Sequence, residues 1–588
     1  MRSALPDAGS SQKICDGGVC VYASNDYERR LGRAIANGLY DGGIILELYQ
    51  LTHVVVVGAD VCEMESSRGL DIVESGDCEW DMMATDFGPY FLSTRSEGDD
   101  RVVVVKFVGK YVRRELRDLT AADRTRYLDA IAVTHKTPND EGFRLYGERY
   151  KSAEWFAATH GMYSTKRFCD SWHSGAGFLN QHMSFTLRFE QSLQSIDPRT
   201  CVHYWDFTID YARIDHWEES VMWSPDWFST VHPNNTLHIV DSGRWAYLPL
   251  YRSTFPSRVK NAYGYLNVPW NTDPTPFVTR SQYIYGLRNY INIPSFGCAK
   301  FLKSVVEDTA NYASAMRELG NDLHSPVHGM VGGYWNYEPN LIESQSEFNK
   351  KMYNVSSASN AISKKMWRMG IIECPHFCSE DTPPIACNCE LATQRVEKHY
   401  PNYTAYDFLN VSGAFSQYEQ MTSNNFDYSD TNATIWGLVF KQLVNVGHVG
   451  SADNDASPVD PIFWTIHGMQ ERFMQMIRYL NDTGKMNFDQ TWANEGATNY
   501  FDWSNVTRWS DIPYHNKSGL CAGHHKHDLI IYPHLLLNQP TDYITNIEYY
   551  NFTSAFSPHL PYVYDQLLNW TECGWIFGAN TSSKTFTY

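Results

Sequence analysis

The sequence predicts a mainly α core, an antiparallel four-helix bundle whose inner faces carry two groups of three histidines, with long loops, an N-terminal α/β extension and a C-terminal segment. Three observations lead there. His160, His173, His182, His324, His328 and His467 all fall on or beside stretches with helical spacing. Ahead of them, residues 1–112 read as strands and turns without helical periodicity, and beyond them residues 491–588 carry clustered glycosylation sequons. The expected boundaries are therefore 1–112, 113–490 with an insertion at 335–440, and 491–588.

In the first region HVVVVGADV (53–61) and RVVVVKFVGKYV (101–112) each hold four consecutive valines, the signature of strands covered on both faces. Cys15, Cys20, Cys62 and Cys78 can staple it, and no glycine-rich phosphate loop follows either strand. The pattern then changes. Thr120 with Asp123 signals an N-cap, and Arg124 to Val133 follows helical spacing. YKSAEWFAATH predicts a helix ending at His160, His173 lies in a loop, and His182 starts a helix with Phe185, Phe189 and Leu193 on one face. Asp197-Pro198 marks a turn before the extended piece ending at Trp205-Asp206, and 207–300 reads as loops and short strands.

The helix over SVVEDTANYASAMRELGNDLHSPVHGMVGG places His324 and His328 on one face and stops at Gly332-Gly333. In the insertion, Cys374, Cys378, Cys387 and Cys389 favour disulfides over a zinc knuckle, because the neighbouring sequons imply an oxidising compartment. Asp460 and Pro461 supply an N-cap and a first helical residue, which puts His467 two turns into a helix after Phe463.

Whole-chain totals narrow the function. The net charge of -19, from 48 basic and 67 acidic residues, excludes nucleic acid and anionic membrane as natural partners. No apolar run reaches about 18 residues, so no membrane span is expected. Thirteen cysteines and eleven N-x-[ST] sequons point to a disulfide-bonded glycoprotein, secreted or in the secretory lumen; the opening MRSALPDAGSSQK has no apolar core, so the signal peptide is read as absent from this sequence. The odd cysteine count leaves at least one thiol free or otherwise modified.

Two sets of three imidazoles can hold two metal ions within a bundle. No carboxylate occupies a ligand position, which disfavours iron sites built on Glu-x-x-His, and Ser-Pro-Val between His324 and His328 lacks the general base of a His-Glu-x-x-His zinc hydrolase. Two copper ions, each with an open position facing the other where dioxygen can bind, fit best. The glycines beside two of the histidines, Gly329 and Gly468, are read as leaving room there.

These residues resemble the type 3 copper proteins, meaning tyrosinases, catechol or polyphenol oxidases and hemocyanins, over roughly residues 113–480. His160, His173, Phe178-Leu179 before His182, Phe189-Glu190 and Tyr204-Trp205-Asp206 match the family's CuA region, and HSPVHGMVGG with DPIFWTIHGMQER matches its CuB region. The resemblance implies CuA ligands His160, His173 and His182 and CuB ligands His324, His328 and His467. It also implies a small phenolic substrate and dioxygen: oxidation of o-diphenols to o-quinones, with hydroxylation of monophenols as a monooxygenase extension, or alternatively dioxygen binding without turnover, as in hemocyanins.

Departures from the pattern are Gln181, Met183, Ile466 and Glu471. The 139-residue gap between His328 and His467 leaves His448 as a rival ligand, and His135 is set aside in favour of His160. Ser171 occupies the place where some members carry a cysteine linked to histidine, and Cys169 is offset from it, so no thioether is expected. Supporting residues are expected among Phe463, Glu318, Ser325, Asp206, Glu190 and Glu471. GHHKHD (His524, His525, His527) reads as an exposed polar loop, and the C-terminal segment can serve as a lid.

Overall fold

The computed structural model describes residues 9–35, 42–65, 68–95, 101–166, 170–173, 175–252, 259–284, 287–288, 311–335, 348, 351, 355, 359–415, 433–445, 447–493, 522–532, 543–570 and 575–576. Cys169, residues 304–310 of the fourth predicted helix, parts of the 335–440 stretch, and the sequons at Asn354, Asn432, Asn505, Asn516 and Asn580 lie outside them.

The first region is built mainly of strands, with one short helix among its described residues. β1 (Gln12–Asp16), β2 (Val19–Asn25), β4 (Leu51–Val57), β6 (Leu70–Gly76) and β7 (Glu79–Ala84) form one antiparallel sheet in the order β1-β2-β4-β7-β6. β5 (Val61–Met64), β8 (Gly88–Arg95) and β9 (Val102–Arg113) lie in a second, which β3 (Ile44–Glu47) joins by parallel pairing with β9. The described helix of this region is the six-residue α1 (Asp26–Leu31), closed by an Asn25–Glu28 capping box. Disulfide Cys15–Cys20 closes the β1–β2 hairpin, and Cys62–Cys78 ties β5 of the second sheet to the turn between β6 and β7 of the first.

The valine runs are not covered on both faces. Burial alternates along β4 and the first half of β9, where Val102 and Val104 are exposed while Val103 and Val105 are buried. The runs belong to antiparallel sheets, where one face packs inward and the other meets solvent.

The core that follows is largely helical. α2 (Ala121–Lys136) starts where expected, with Thr120 Oγ1 accepting from the Asp123 N–H at 3.1 Å. α3 (Ala153–Ser164) is capped by Ser152 and continues one turn past His160, which therefore sits within the helix and not at its end. α4 (Phe178–Ile196) begins four residues before His182. It is buried on every face from Phe178 to Leu193, not along one stripe; Ser184 and Ser192 turn their hydroxyls onto the carbonyls of Gln181 and Lys151.

The helical stretch from Tyr312 contains a π-helical segment, Glu318–His324, leading into α5 (Ser325–Gly332). Pro326 explains it: a proline here removes the bond to the carbonyl one turn back and its ring crowds that carbonyl. Ser325 Oγ donates to the Gly320 carbonyl at 2.8 Å, satisfying part of the widened turn. Gly333, at φ 70°, ends α5.

The insertion contributes α6 (Ser359–Met369) and a loop closed by Cys374–Cys389 and Cys378–Cys387, disulfides as expected from its chemistry. α7 (Phe463–Asp482) is buried from Phe463 to Leu480. Phe189 of α4 stacks on Trp464 of α7 at 3.6 Å between ring centroids, a contact worth about 0.5–1.5 kcal/mol beyond its burial. Between helices, β10 (Tyr334–Trp335) pairs with β11 (His448–Val449), and β12 (Tyr562–Tyr564) adds in parallel to β9. Buried Arg113, at the end of β9, there meets Glu190 of α4, Glu471 of α7 and the ring of Tyr562, whose hydroxyl donates to Glu471. No described helix is long and apolar enough to cross a membrane.

Candidate metal centre

Each of the six histidines reaches one of two clusters. His160, His173 and His182 offer ligand atoms within 4.8 Å of one another, and so do His324, His328 and His467. Within the clusters His160 and His182 approach Nε2 to Nε2 at 3.3 Å, His324 and His467 at 3.0 Å, and His328 and His324 at 2.9 Å. The clusters abut: the rings of His182 and His467 stack at 4.8 Å with 5° between planes.

The opposite ring nitrogens decide what those Nε2 atoms are. The Nδ1–H of His160 donates to the Asp455 carbonyl at 2.7 Å, that of His182 to the Phe178 carbonyl at 2.7 Å, and that of His328 to the Ala452 carbonyl at 2.6 Å. His173 donates from Nδ1 to Asp170 Oδ1 at 3.0 Å, and its backbone N–H reaches the same oxygen at 2.9 Å. A neutral imidazole has one proton, so in these four the Nε2 carries a lone pair directed at its neighbours. Facing lone pairs at such distances repel, and a cation between them removes the repulsion.

Burial enforces neutrality. It pushes His160, His182, His324 and His467 well below the ordinary imidazole value, with neighbouring imidazoles adding to the effect, and lowers His328 to about 4. Such a donor set of neutral nitrogens suits a soft or borderline ion such as copper. His324 Nδ1 and His467 Nδ1 have no hydrogen-bond partner among the described residues.

Two phenylalanines frame the site. Phe463 lies against His467 at 4.1 Å and His160 at 5.5 Å, touching both clusters, as does Phe178 against His182 at 4.8 Å and His324 at 5.5 Å. Of the six imidazoles, His173 is the most open, its side chain 22% exposed.

Other candidates lie elsewhere. Asp206 caps the helix at Thr208 and pairs with Arg472, while Glu190 and Glu471 are held by Arg113. Ser325 is exposed at the first residue of α5, and Glu318 opens the π-helical segment before it. His448 packs its ring on Trp335, and His135 sits against Trp245 and the Tyr251 hydroxyl, both outside the clusters. Ser171 accepts from Lys166. The two glycines do not open the site: a Cβ on Gly468 would lie 3.2 Å from the His203 carbonyl, and one on Gly329 would face Asp453 at 3.6 Å.

GHHKHD is not simply an exposed loop. His527 is exposed, but His524 is fully buried; its Nδ1 accepts from the Gly177 N–H at 3.1 Å and its Nε2–H donates to the Asp170 carbonyl at 2.7 Å, spanning the loop that carries His173. Spacing alone gave no sign of this, nor of Asp170, whose negative charge is held in place although burial opposes it: Lys364, His173 and Arg368 together keep its carboxyl well below the usual range. The one available hint was polar residues flanking a ligand histidine.

The profile of the common central domain of tyrosinase matches residues 150–362, a span that includes His160, His173, His182, His324 and His328. This stretch of the chain is similar to the central domain of tyrosinases. A tyrosinase from Streptomyces lincolnensis is 25% identical to this chain over 228 residues, 38% of this chain and 72% of the relative. Grixazone synthase from Streptomyces griseus is 31% identical over 114 residues, and that match spans 19% of this chain and only 33% of the relative. A polyphenol oxidase structure from Thermothelomyces thermophila aligns over 77% of this chain and 88% of its own with a TM-score of 0.32 and 14% identity.

Proposed function

We propose that the protein oxidises o-diphenols to o-quinones with dioxygen at a pair of copper ions, CuA held by His160, His173 and His182 and CuB by His324, His328 and His467, with monophenols as a second substrate class. The observation that carries this reading is the convergence of three imidazoles in each of two abutting clusters. The tyrosinase relatives support the reaction class.

When bound, the copper pair supplies dioxygen binding and the acceptance of two electrons from each diphenol, whose two hydroxyl protons leave with them. The chain's own part is to orient. Backbone carbonyls of Asp455, Phe178 and Ala452 and the Asp170 carboxylate hold the Nδ1 protons and so aim the opposite nitrogens. Phe178 and Phe463 keep water from the space between clusters, and the 22% exposure of the His173 side chain favours approach of a phenol from that side. The helices bearing these ligands are read as the family's four-helix bundle, 1–112 as a separate packing domain, and the segment from 491, anchored by His524, as a cover for the His173 loop. A secreted, glycosylated protein fits the disulfides.

Copper analysis of the purified chain and quinone formation from a catechol under air test this reading. Two coppers per chain with turnover are expected, and fewer than two would overturn it. Two coppers without quinone, but with reversible dioxygen binding, would instead support the carrier reading. Repeating the assay with a monophenol separates the substrate classes.

A further inference from the structure

We propose that Lys364 is a positioning residue for the first copper site: one ammonium group, supplied by the insertion, sets the aim of both His160 and His173. The inference rests on the copper reading above.

Lys364 lies on α6, in the stretch separating His328 from His467 in sequence, and its side chain is only 10% exposed. Its Nζ lies 2.5 Å from Asp170 Oδ2 and 2.8 Å from Asp455 Oδ1. Those two aspartates are the groups that orient the first cluster. Asp170 uses its other oxygen, Oδ1, to accept from His173 Nδ1–H and from the N–H groups of His173 and Trp172. Asp455 offers its backbone carbonyl to His160 Nδ1–H. One turn along α6, Arg368 reaches Asp170 Oδ2 at 3.4 Å and fixes the end of α3 through the Ser164 carbonyl.

Without Lys364, two buried carboxylates lose a shared counter-charge, and Asp170 turns toward its remaining cation Arg368, which changes its bond to His173. The remaining histidines have independent supports. His182 is aimed by the carbonyl of its own helix at Phe178 and His328 by Ala452. Loss of Lys364 therefore acts on one metal site and spares the other, which a general loss of stability would not do.

The test uses the full chain loaded with copper and equilibrated at graded free copper, with copper per chain read by elemental analysis and the fold of the metal-free protein read by circular dichroism. Lys364→Met is expected to weaken one of the two coppers about 10–100-fold and leave the other at wild-type affinity, the usual consequence of losing a ligand's outer partner. Lys364→Arg, which keeps the charge, is expected to restore most of that affinity. Should Lys364→Met fail to fold, Asp170→Asn serves in its place: it keeps an oxygen for His173 while removing the charge Lys364 binds, and the same one-site weakening is expected. Retention of both coppers at wild-type affinity, or equal weakening of both, overturns the proposal while leaving the dicopper reading intact. Fewer than two coppers in the wild-type chain overturns the dicopper reading and this inference with it.

Discussion

Replacing Arg280 with methionine tests the frame that carries His467. Arg280 and Asp460 are fully buried and paired twice, Nε to Oδ2 at 2.8 Å and Nη2 to Oδ1 at 2.7 Å. Asp460 also accepts from the Ile462 N–H at the entrance to α7, while Arg280 donates to the carbonyls of Phe228 and Thr230. Arg280→Met leaves a buried carboxylate without its counter-charge, and breaking such a pair costs about 3–5 kcal/mol. With an unfolding entropy near 2.1 cal/mol/K per residue, a core of roughly 380 residues shifts by about 1.3 °C per kcal/mol, so a fall of about 4–6 °C in Tm is expected. The double variant Arg280→Met with Asp460→Asn removes the stranded charge and is expected to regain a substantial part of the loss. Differential scanning calorimetry of both, with and without copper, gives the answer. A single-variant loss below about 1 kcal/mol, or a double variant whose loss equals the sum of the two singles, refutes the assignment of this pair as a strongly coupled buried ion pair.

Four further outcomes are expected. Burial lowers His135 to about 4, so between that value and 6.5 the unfolded chain binds the extra proton and stability falls with acid; His135→Gln is expected to flatten this dependence by about 1.4 kcal/mol per pH unit, read from denaturant unfolding at several pH values. His524→Ala removes the acceptor for the Gly177 N–H and is expected to raise hydrogen exchange across 170–177 while leaving α7 unchanged, as mass spectrometry of peptic fragments would show. Phe463→Ala opens a cavity between the clusters and is expected to cost about 3–5 kcal/mol, measured by urea unfolding of the metal-free protein. Cys201 is a free, buried thiol whose pKa burial raises well above the ordinary value; peptide mapping is expected to find it unlabelled by maleimide in the native protein and labelled in denaturant.

What the sequence disclosed follows from the range of the forces involved. The helices of the core were legible where caps and helical spacing, both local signals, mark them: Thr120 with Asp123 ahead of α2 and Gly333 after α5 act within one turn. Boundaries slipped where a local rule had a competitor. The start predicted at His182 falls four residues late because α4 begins at Phe178 without a side-chain cap, and α3 outruns His160 because nothing there stops it. Four valines in a row do not say whether a sheet has one covered face or two, and here the alternation beneath the run decided for one. The supports of the histidines were invisible for a different reason. Asp455, Ala452 and Phe178 act through main-chain carbonyls, which every residue has, and Lys364, Asp170 and His524 meet only after folding. The six histidines could be grouped because imidazole is uncommon and its chemistry narrow; no such rarity marks a lysine or an aspartate.

The parallel pairing of β12 with β9 has a consequence for biosynthesis. Arg113 and Tyr564, which bond at 3.2 Å, stand 451 positions apart. At a synthesis rate of about 5–20 residues per second, the strand carrying Arg113 leaves the ribosome roughly 20–90 s before its partner exists. Throughout that interval the edge of β9 at Tyr111–Arg113 lacks its partner strand and the guanidinium lacks the Tyr562 ring that later covers it, so this corner of the sheet closes only after the last part of the chain is made.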